Sequence, residues 1–157
     1  MDVKSGLHLR SDAVDEIRDT LESNLGVGVD ADSFERVELE GGDWDVVLVD
    51  GDPLVLYLDG DPFVTVQGAN ALSPTERIVT VDAGAIEFVS NGADVMRPGI
   101  VDADETIEEE DLVVINEETH GKFLAVGRAL TGGEDMVGQE GRVVESIHHV
   151  GDELYEL

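Results

Sequence analysis

The sequence predicts an α+β chain in two parts: an N-terminal helix with an antiparallel sheet, then a small mixed β-barrel. Three observations carry this expectation. Val14, Ile17, Leu21 and Leu25 recur at helical spacing early in the chain. Three apolar runs follow, separated twice by the same four residues, Asp-Gly-Asp-Pro, at 50–53 and 59–62. The second half holds several short strand-like runs, one short helical stretch and many glycines.

Residues 10–25 form the predicted helix, with Ser11 or Asp12 able to cap its start and Gly26 to stop it. Asp15, Glu16, Asp19 and Glu22 occupy its wet face. Residues 26–32 read as a loop, 34–39 as a strand with one slip in its alternation, and 40–43 as a turn. The runs 44–49, 54–58 and 63–66 then form a meander. Asp-Gly between such runs is a strong hairpin signal, because glycine takes a positive φ without steric cost. Residues 67–76 are polar and small and include Ser73-Pro74, so the domain boundary is expected there, dividing 1–75 from 76–157.

The second part opens on its most punctuated stretch, 77–101. Residues 77–81 read as a strand. Asp82 stands where a helix N-cap belongs, since its carboxylate can accept the unpaired N–H groups of the first turn. Residues 83–90 form a short helix with Ile86 and Val89 on one face, and Asn91-Gly92 ends it. Val95 and Met96 restart an apolar run that Pro98-Gly99 breaks. Beyond it, 102–111 reads as an exposed acidic loop, and 112–115, 122–129 and 142–150 as strands. The chain closes with a short strand or turn at 151–157.

Charge bounds the chemistry. Asp and Glu number 37 against 9 Lys and Arg, a formal net charge of −28, and Lys4 and Lys122 are the only lysines. Two readings compete for this acidity, a protein that binds basic partners or metal and one kept hydrated in a salt-rich host cytoplasm; the spread of carboxylates over every segment and the near absence of lysine favour the second. At 1 M salt the screening length is only about 3 Å, so this acidity does not forbid contact with phosphate. No cysteine is present, which removes disulfides, thiolate metal sites and cysteine nucleophiles together. No run approaches the roughly 20 apolar residues of a membrane span, and the first residues lack a signal-peptide core, so a cytoplasmic protein without membrane contact is expected.

Catalytic and metal signatures are missing from the sequence. Asp30 with Asp32, and Asp102 with Asp104, lack the Gly and Glu spacing of a calcium loop. His148 and His149 are adjacent, so on a strand they face opposite sides and cannot share one ion; one is expected inside and the other outside. Neither a nucleophile elbow nor a phosphate loop occurs. The expectation is a protein without catalytic residues, metal or cofactor.

The words Asp82-Ala83-Gly84-Ala85, Gly92-Ala93-Asp94-Val95-Met96 and Arg97-Pro98-Gly99 resemble the opening of a PUA domain, an RNA-binding module. The resemblance continues through 111–115, 125–128 and 141–155. The chain as a whole resembles the malignant-T-cell-amplified-sequence proteins and the translation-machinery-associated RNA-binding family. These set an α+β domain before a C-terminal PUA domain. The resemblance implies RNA binding without catalysis, with tRNA or rRNA and the small ribosomal subunit as partners and no DNA. It also implies a possible protein partner carrying a domain like the start-codon selection factor. Two alternatives stand beside this reading: an accessory RNA-presenting subunit of a tRNA-modifying enzyme, and an interaction module on ribosomal proteins.

By matching position, the resemblance implies an RNA groove that starts at Gly84 and Ala85 and includes Met96 and Arg97. In a chain so poor in cations, Arg77, Lys122, Arg128 and Arg142 are further candidate contacts, together with His149. Two positions depart from the family. Ala83 stands where Lys is frequent, and Tyr155 where Trp is frequent. Loss of that lysine shifts the expected recognition from phosphate toward shape, 2′-hydroxyl contacts and stacking.

Overall fold

The computed structural model describes residues 3–39 and 44–157; the predicted turn at 40–43 lies outside them. The chain separates into two compact units, 1–75 with 156–157, and 76–155.

The first unit runs β1 (Val3–His8), α1 (Ser11–Leu25), β2 (Phe34–Leu39), β3 (Asp45–Val49), β4 (Asp52–Leu58), β5 (Asp61–Val64) and α2 (Val66–Leu72). The five strands pair in chain order, each antiparallel to the next. Both Asp-Gly pairs make the hairpin turns. Asp50 and Gly51 have φ of 49° and 90°, and Asp59 and Gly60 have φ of 53° and 85°. Two successive positive φ values match the twist of paired strands, which explains the choice of Asp-Gly. The Asp-Pro that follows each pair is already inside the next strand.

Helix α1 buries Ile17, Leu21 and Leu25, three of the four residues whose spacing predicted it, and leaves Val14 half-buried. Its start differs from expectation: Arg10 occupies the N-cap position without a side-chain bond, and Ser11 and Asp12 lie within the first turn. Arg18 on the half-buried side donates from Nε to the Val29 carbonyl at 3.0 Å and from Nη2 to the Ala31 carbonyl at 3.2 Å. Those two bonds hold the predicted loop 26–32 against the helix, and Val27 and Val29 within that loop are buried.

Two elements of this unit were not anticipated. β1 lies in a stretch too polar to show an apolar pattern, and it gains its partners only by pairing with β2. α2 occupies what the sequence presented as a polar linker. Thr65 caps it, accepting from the Gly68 N–H at 2.9 Å while donating its hydroxyl to the Pro53 carbonyl at 2.7 Å. Gly68 and Ala69 are buried, and a Cβ on Gly68 would collide with the Leu54 carbonyl. The small residues that suggested a loop are therefore those that let α2 lie directly on β4.

The second unit contains β6 (Ile78–Val81), α3 (Ile86–Ser90), β7 (Val95–Met96), β8 (Ile100–Ala103), β9 (Leu112–Glu117), β10 (Phe123–Ala129) and β11 (Arg142–His149). Three single 3-10 turns join them, at Ala83–Ala85, Arg97–Gly99 and Gly133–Asp135. The strand order is β7-β11-β10-β9-β6-β8, a nearly closed barrel in which only β6 and β9 run parallel. Its core is aliphatic: Val79, Val81, Val113, Ile115, Val143 and Val144 are each buried to within 1 %. Burying such valines contributes on the order of 1.5–3 kcal/mol each before the conformational entropy of ordering them.

Three predicted boundaries are corrected here. Arg77 is not a strand residue; it takes a φ of 56° before β6 begins. Residues 83–90 are a 3-10 turn followed by five α-helical residues, not one helix. The acidic stretch 102–111 is not wholly exposed loop, because β8 includes Asp102 and Ala103, and both Ala103 and Ile107 enter the core.

Candidate functional site

A cavity of about 430 Å³ opens between the segment 82–89 and the segment 93–99. Gly84, Ala85, Val89, Val95 and Pro98 are among the residues that line it. Two large apolar side chains on its wall face solvent: Phe88 is 66 % exposed and Met96 is 48 % exposed. Asp82 and Asp94 supply the charge.

Local chemistry builds this opening. Asp82 follows β6 and accepts the Ala85 N–H on its Oδ1 at 3.0 Å, which turns the chain sharply into α3. The Asp82 N–H donates to the Gly99 carbonyl at 2.9 Å, joining the two walls. A Cβ on Gly99 would stand 3.0 Å from the Ala85 Cβ, so these small residues set how closely the walls approach. Gly84 is different: a Cβ there would meet only the Asp82 carboxylate, at 3.4 Å. Gly84 keeps the cavity open and is not required by the turn.

The structure brings Gly84, Ala85 and Met96 together as expected neighbours, and the candidate cations less so. Arg97 follows Met96 yet turns away from the cavity. Its Nε donates to the Asp135 carbonyl at 2.8 Å and its Nη1 to the Glu140 carbonyl at 3.0 Å. Arg142, paired with Met96 across β7 and β11, binds Asp94 Oδ2 at 2.9 Å. Asp94 Oδ1 accepts the Ser146 N–H at 2.8 Å, so both of its oxygens are engaged. Arg77 and Arg128 meet around another segment, Arg77 Nη2 lying 3.9 Å from Asp111 Oδ1 and Arg128 Nη1 donating to the Glu110 carbonyl at 2.8 Å. Lys122 is exposed at the β9–β10 turn.

The adjacent histidines divide as alternation on a strand requires. His148 is fully buried, with Nδ1 2.8 Å from Asp152 Oδ2. His149 is half-buried, with Nδ1 3.1 Å from the Ser90 carbonyl and 2.9 Å from the Val150 carbonyl. Two carbonyl acceptors assign the proton to Nδ1 of His149, and its Nε2 faces Gly92. His149 therefore ties the end of α3 to β11 beside the cavity.

Three carboxylates elsewhere in this unit are stabilised as anions. Burial pushes Asp152 up, but hydrogen bonds from His148 and the His149 and Tyr155 N–H groups, with the charge of His148, hold it below the usual range. Burial likewise opposes ionisation of Asp104, and the N–H groups of Thr106 and Arg77 with the Thr106 hydroxyl bring it down. Glu117 is lowered first by the Lys122 N–H and then by the N–H of His120, whose charge adds to the effect, and the N–H of Thr119. Each carboxylate closes a turn with its own protein donors. Among the described residues, no three His, Asp or Glu side chains cluster to hold a metal, and no helix is long and apolar enough to cross a membrane.

Residues 77–151 match the PUA domain. Over 116 residues the chain is 42 % identical to an uncharacterized protein of Methanocaldococcus jannaschii, covering 73 % of this chain and 72 % of that one. The chain belongs to the PUA-domain family. A hypothetical protein from Pyrococcus horikoshii has a solved structure with a TM-score of 0.87 and 34 % identity, over 97 % of this chain and 98 % of that one. Translation machinery-associated protein 20 of Saccharomyces cerevisiae is 38 % identical over 86 residues, 50 % of this chain and 48 % of its own. The match thus spans about half the length of that yeast relative.

Within the PUA unit, Phe88, Asp82 and Asp94 are among the cavity residues that sequence reasoning did not name as site residues. A signal for Phe88 existed: it falls off the Ile86 and Val89 face of a short helix, so burial in the core could not account for it.

Proposed function

We propose that this chain is a non-catalytic RNA-binding protein of the translation machinery, contacting tRNA or small-subunit rRNA. The observation that carries the reading is an apolar cavity with exposed Phe88 and Met96 inside a unit that matches the PUA domain. Translation is supported by the similarity to a yeast protein named for that machinery. In this reading residues 1–75 form a domain ahead of a PUA domain at 76–157. The small ribosomal subunit is the assembly joined, and a protein with a start-codon-selection-like domain is the companion. The host is salt-rich, and the protein works in its cytoplasm.

Filter binding of tRNA and small-subunit rRNA in molar KCl tests the reading, with an unrelated acidic protein as control. Saturable binding above that control is the expected result. Binding no greater than the control overturns it. Co-sedimentation with small subunits that persists without any RNA affinity would transfer the function to protein contacts.

A further inference from the structure

The two edges of the first unit's sheet differ in how they are protected. β5, at one edge, contains Pro62 and buries Pro62, Phe63 and Val64. β1, at the other, leaves Ser5, Gly6, Leu7 and His8 exposed. Its register with β2 is regular across those four residues, and its one irregularity lies between Val3 and Ser5. Proline, bulges and cover are the usual protections of an edge, because a bare edge offers unpaired N–H and C=O groups to any extended chain. The Leu9 N–H bonds the Phe34 carbonyl at 2.9 Å. Backbone groups alternate in direction along an antiparallel strand, so those of Gly6 and His8 point outward. Leu7, between them, is 69 % exposed.

Two carboxylates of β2 reach onto this edge strand from opposite faces. Glu38 lies opposite Ser5 and accepts its hydroxyl on Oε2 at 3.3 Å. Glu35, three residues earlier and so on the other face, occupies the space that Gly6 leaves: a Cβ there would stand 2.7 Å from Glu35 Oε2. Among the described residues, neither carboxylate pairs with a cation. Gly6 therefore lets negative charge lie over the edge strand itself, where an added strand would pass.

We propose that β1 is a docking edge for an extended, basic segment of another protein, an interaction separate from the RNA-binding reading. The segment adds to the five-stranded sheet by pairing with the outward N–H and C=O groups of Gly6 and His8. Its Lys or Arg side chains, alternating between the two faces, meet Glu35 and Glu38, and an apolar side chain covers Leu7. Charge decides against the other occupants. Pairing β1 with β1 of a second copy would bring the glutamates of both chains to one seam, and like charges across strands are destabilising. A nucleic-acid phosphate is repelled by the same two carboxylates.

The experiment uses the full chain in molar KCl, which screens the diffuse attraction of a −28 protein for any cation and leaves short-range contacts. The probes are a labelled Val- and Thr-rich peptide with Lys on both faces, its Glu counterpart, and the Lys peptide with a central proline. The Lys peptide is expected to bind, and the other two roughly ten-fold more weakly or not at all. On binding, the Gly6 and His8 amides should gain protection from hydrogen exchange. His8→Pro removes an outward N–H but no bond to β2, and should abolish binding. Glu35→Gln combined with Glu38→Gln keeps the shape of both side chains and should weaken binding roughly three-fold or more; this variant and the exchange pattern decide the matter if His8→Pro fails to fold. Equal binding of the proline-broken peptide, or protection gained only outside 5–8, overturns the proposal. Self-association that His8→Pro removes would give the edge to a second copy, and displacement of the peptide by tRNA would give it to RNA; either result overturns the basic segment as its partner.

Discussion

The Arg97 guanidinium donates through Nη1 to the Glu140 carbonyl at 3.0 Å, across 43 residues of chain. With the Nε bond to the Asp135 carbonyl, this side chain holds both ends of the loop that leads into β11. Gly138 and Gly141 leave room for it; a Cβ at either would stand 2.9 or 2.8 Å from Arg97 atoms. The cation beside the cavity is therefore an internal strut in the free protein.

Removing the strut should be felt first in folding. Arg97→Ala loses two charge-assisted bonds at a partly exposed site, and the expected loss is about 1–3 kcal/mol. Arg97→Lys restores the charge but not the forked geometry and should recover only part of it. Denaturant unfolding of the three proteins in the same KCl concentration checks this. Unchanged midpoints for both variants would refute the strut.

Asp152 makes a pH-dependent contribution. Its folded pKa lies below its ordinary value of about 3.9, so its stabilisation is complete above the unfolded value. That stabilisation is lost as pH falls through the folded value. Asp104 and Glu117 add to acid unfolding with the same sign. Asp152→Asn should cost about 1–3 kcal/mol near neutral pH and flatten the acid limb of the stability profile. Parallel acid limbs for variant and parent would contradict the assignment.

Two glycines should respond in opposite ways. Gly68→Ala drives a Cβ into the Leu54 carbonyl, main chain that cannot rotate aside, and is expected to destabilise by about 1–3 kcal/mol. Gly84→Ala meets only the Asp82 carboxylate, at 3.4 Å, and should stay within about 0.5 kcal/mol. Thermal unfolding of the pair in matched buffer decides it, and similar shifts for both would remove the distinction between packing and cavity glycines.

Salt should stabilise the whole molecule. A formal charge of −28 on a 157-residue chain repels itself in dilute buffer, and molar KCl screens that repulsion. The unfolding midpoint is expected to rise steadily with KCl. A midpoint that does not change down to dilute buffer would remove salt adaptation as the reason for the acidity.

The sequence alone determined the local features whose causes lie within a few residues. Helical spacing from Val14 to Leu25 specified α1, each Asp-Gly specified a hairpin, and Asp82 specified the turn into α3. The punctuation from 77 to 101 and its words pointed to the PUA family. Tertiary structure decided what depends on distant partners. α2 was hidden because Gly68 and Ala69 look like a linker until β4 lies beneath them. The parallel pairing of β6 with β9 joins strands whose contact no local pattern encodes. The direction of side chains was likewise decided by packing: Arg97 bends inward because carbonyls of the 135–140 loop wait there, and Phe88 stays outward because the core is already filled by Val89 and its neighbours. Periodicity reports which face of an element is apolar, and only the assembled barrel decides which apolar or charged group remains for a ligand.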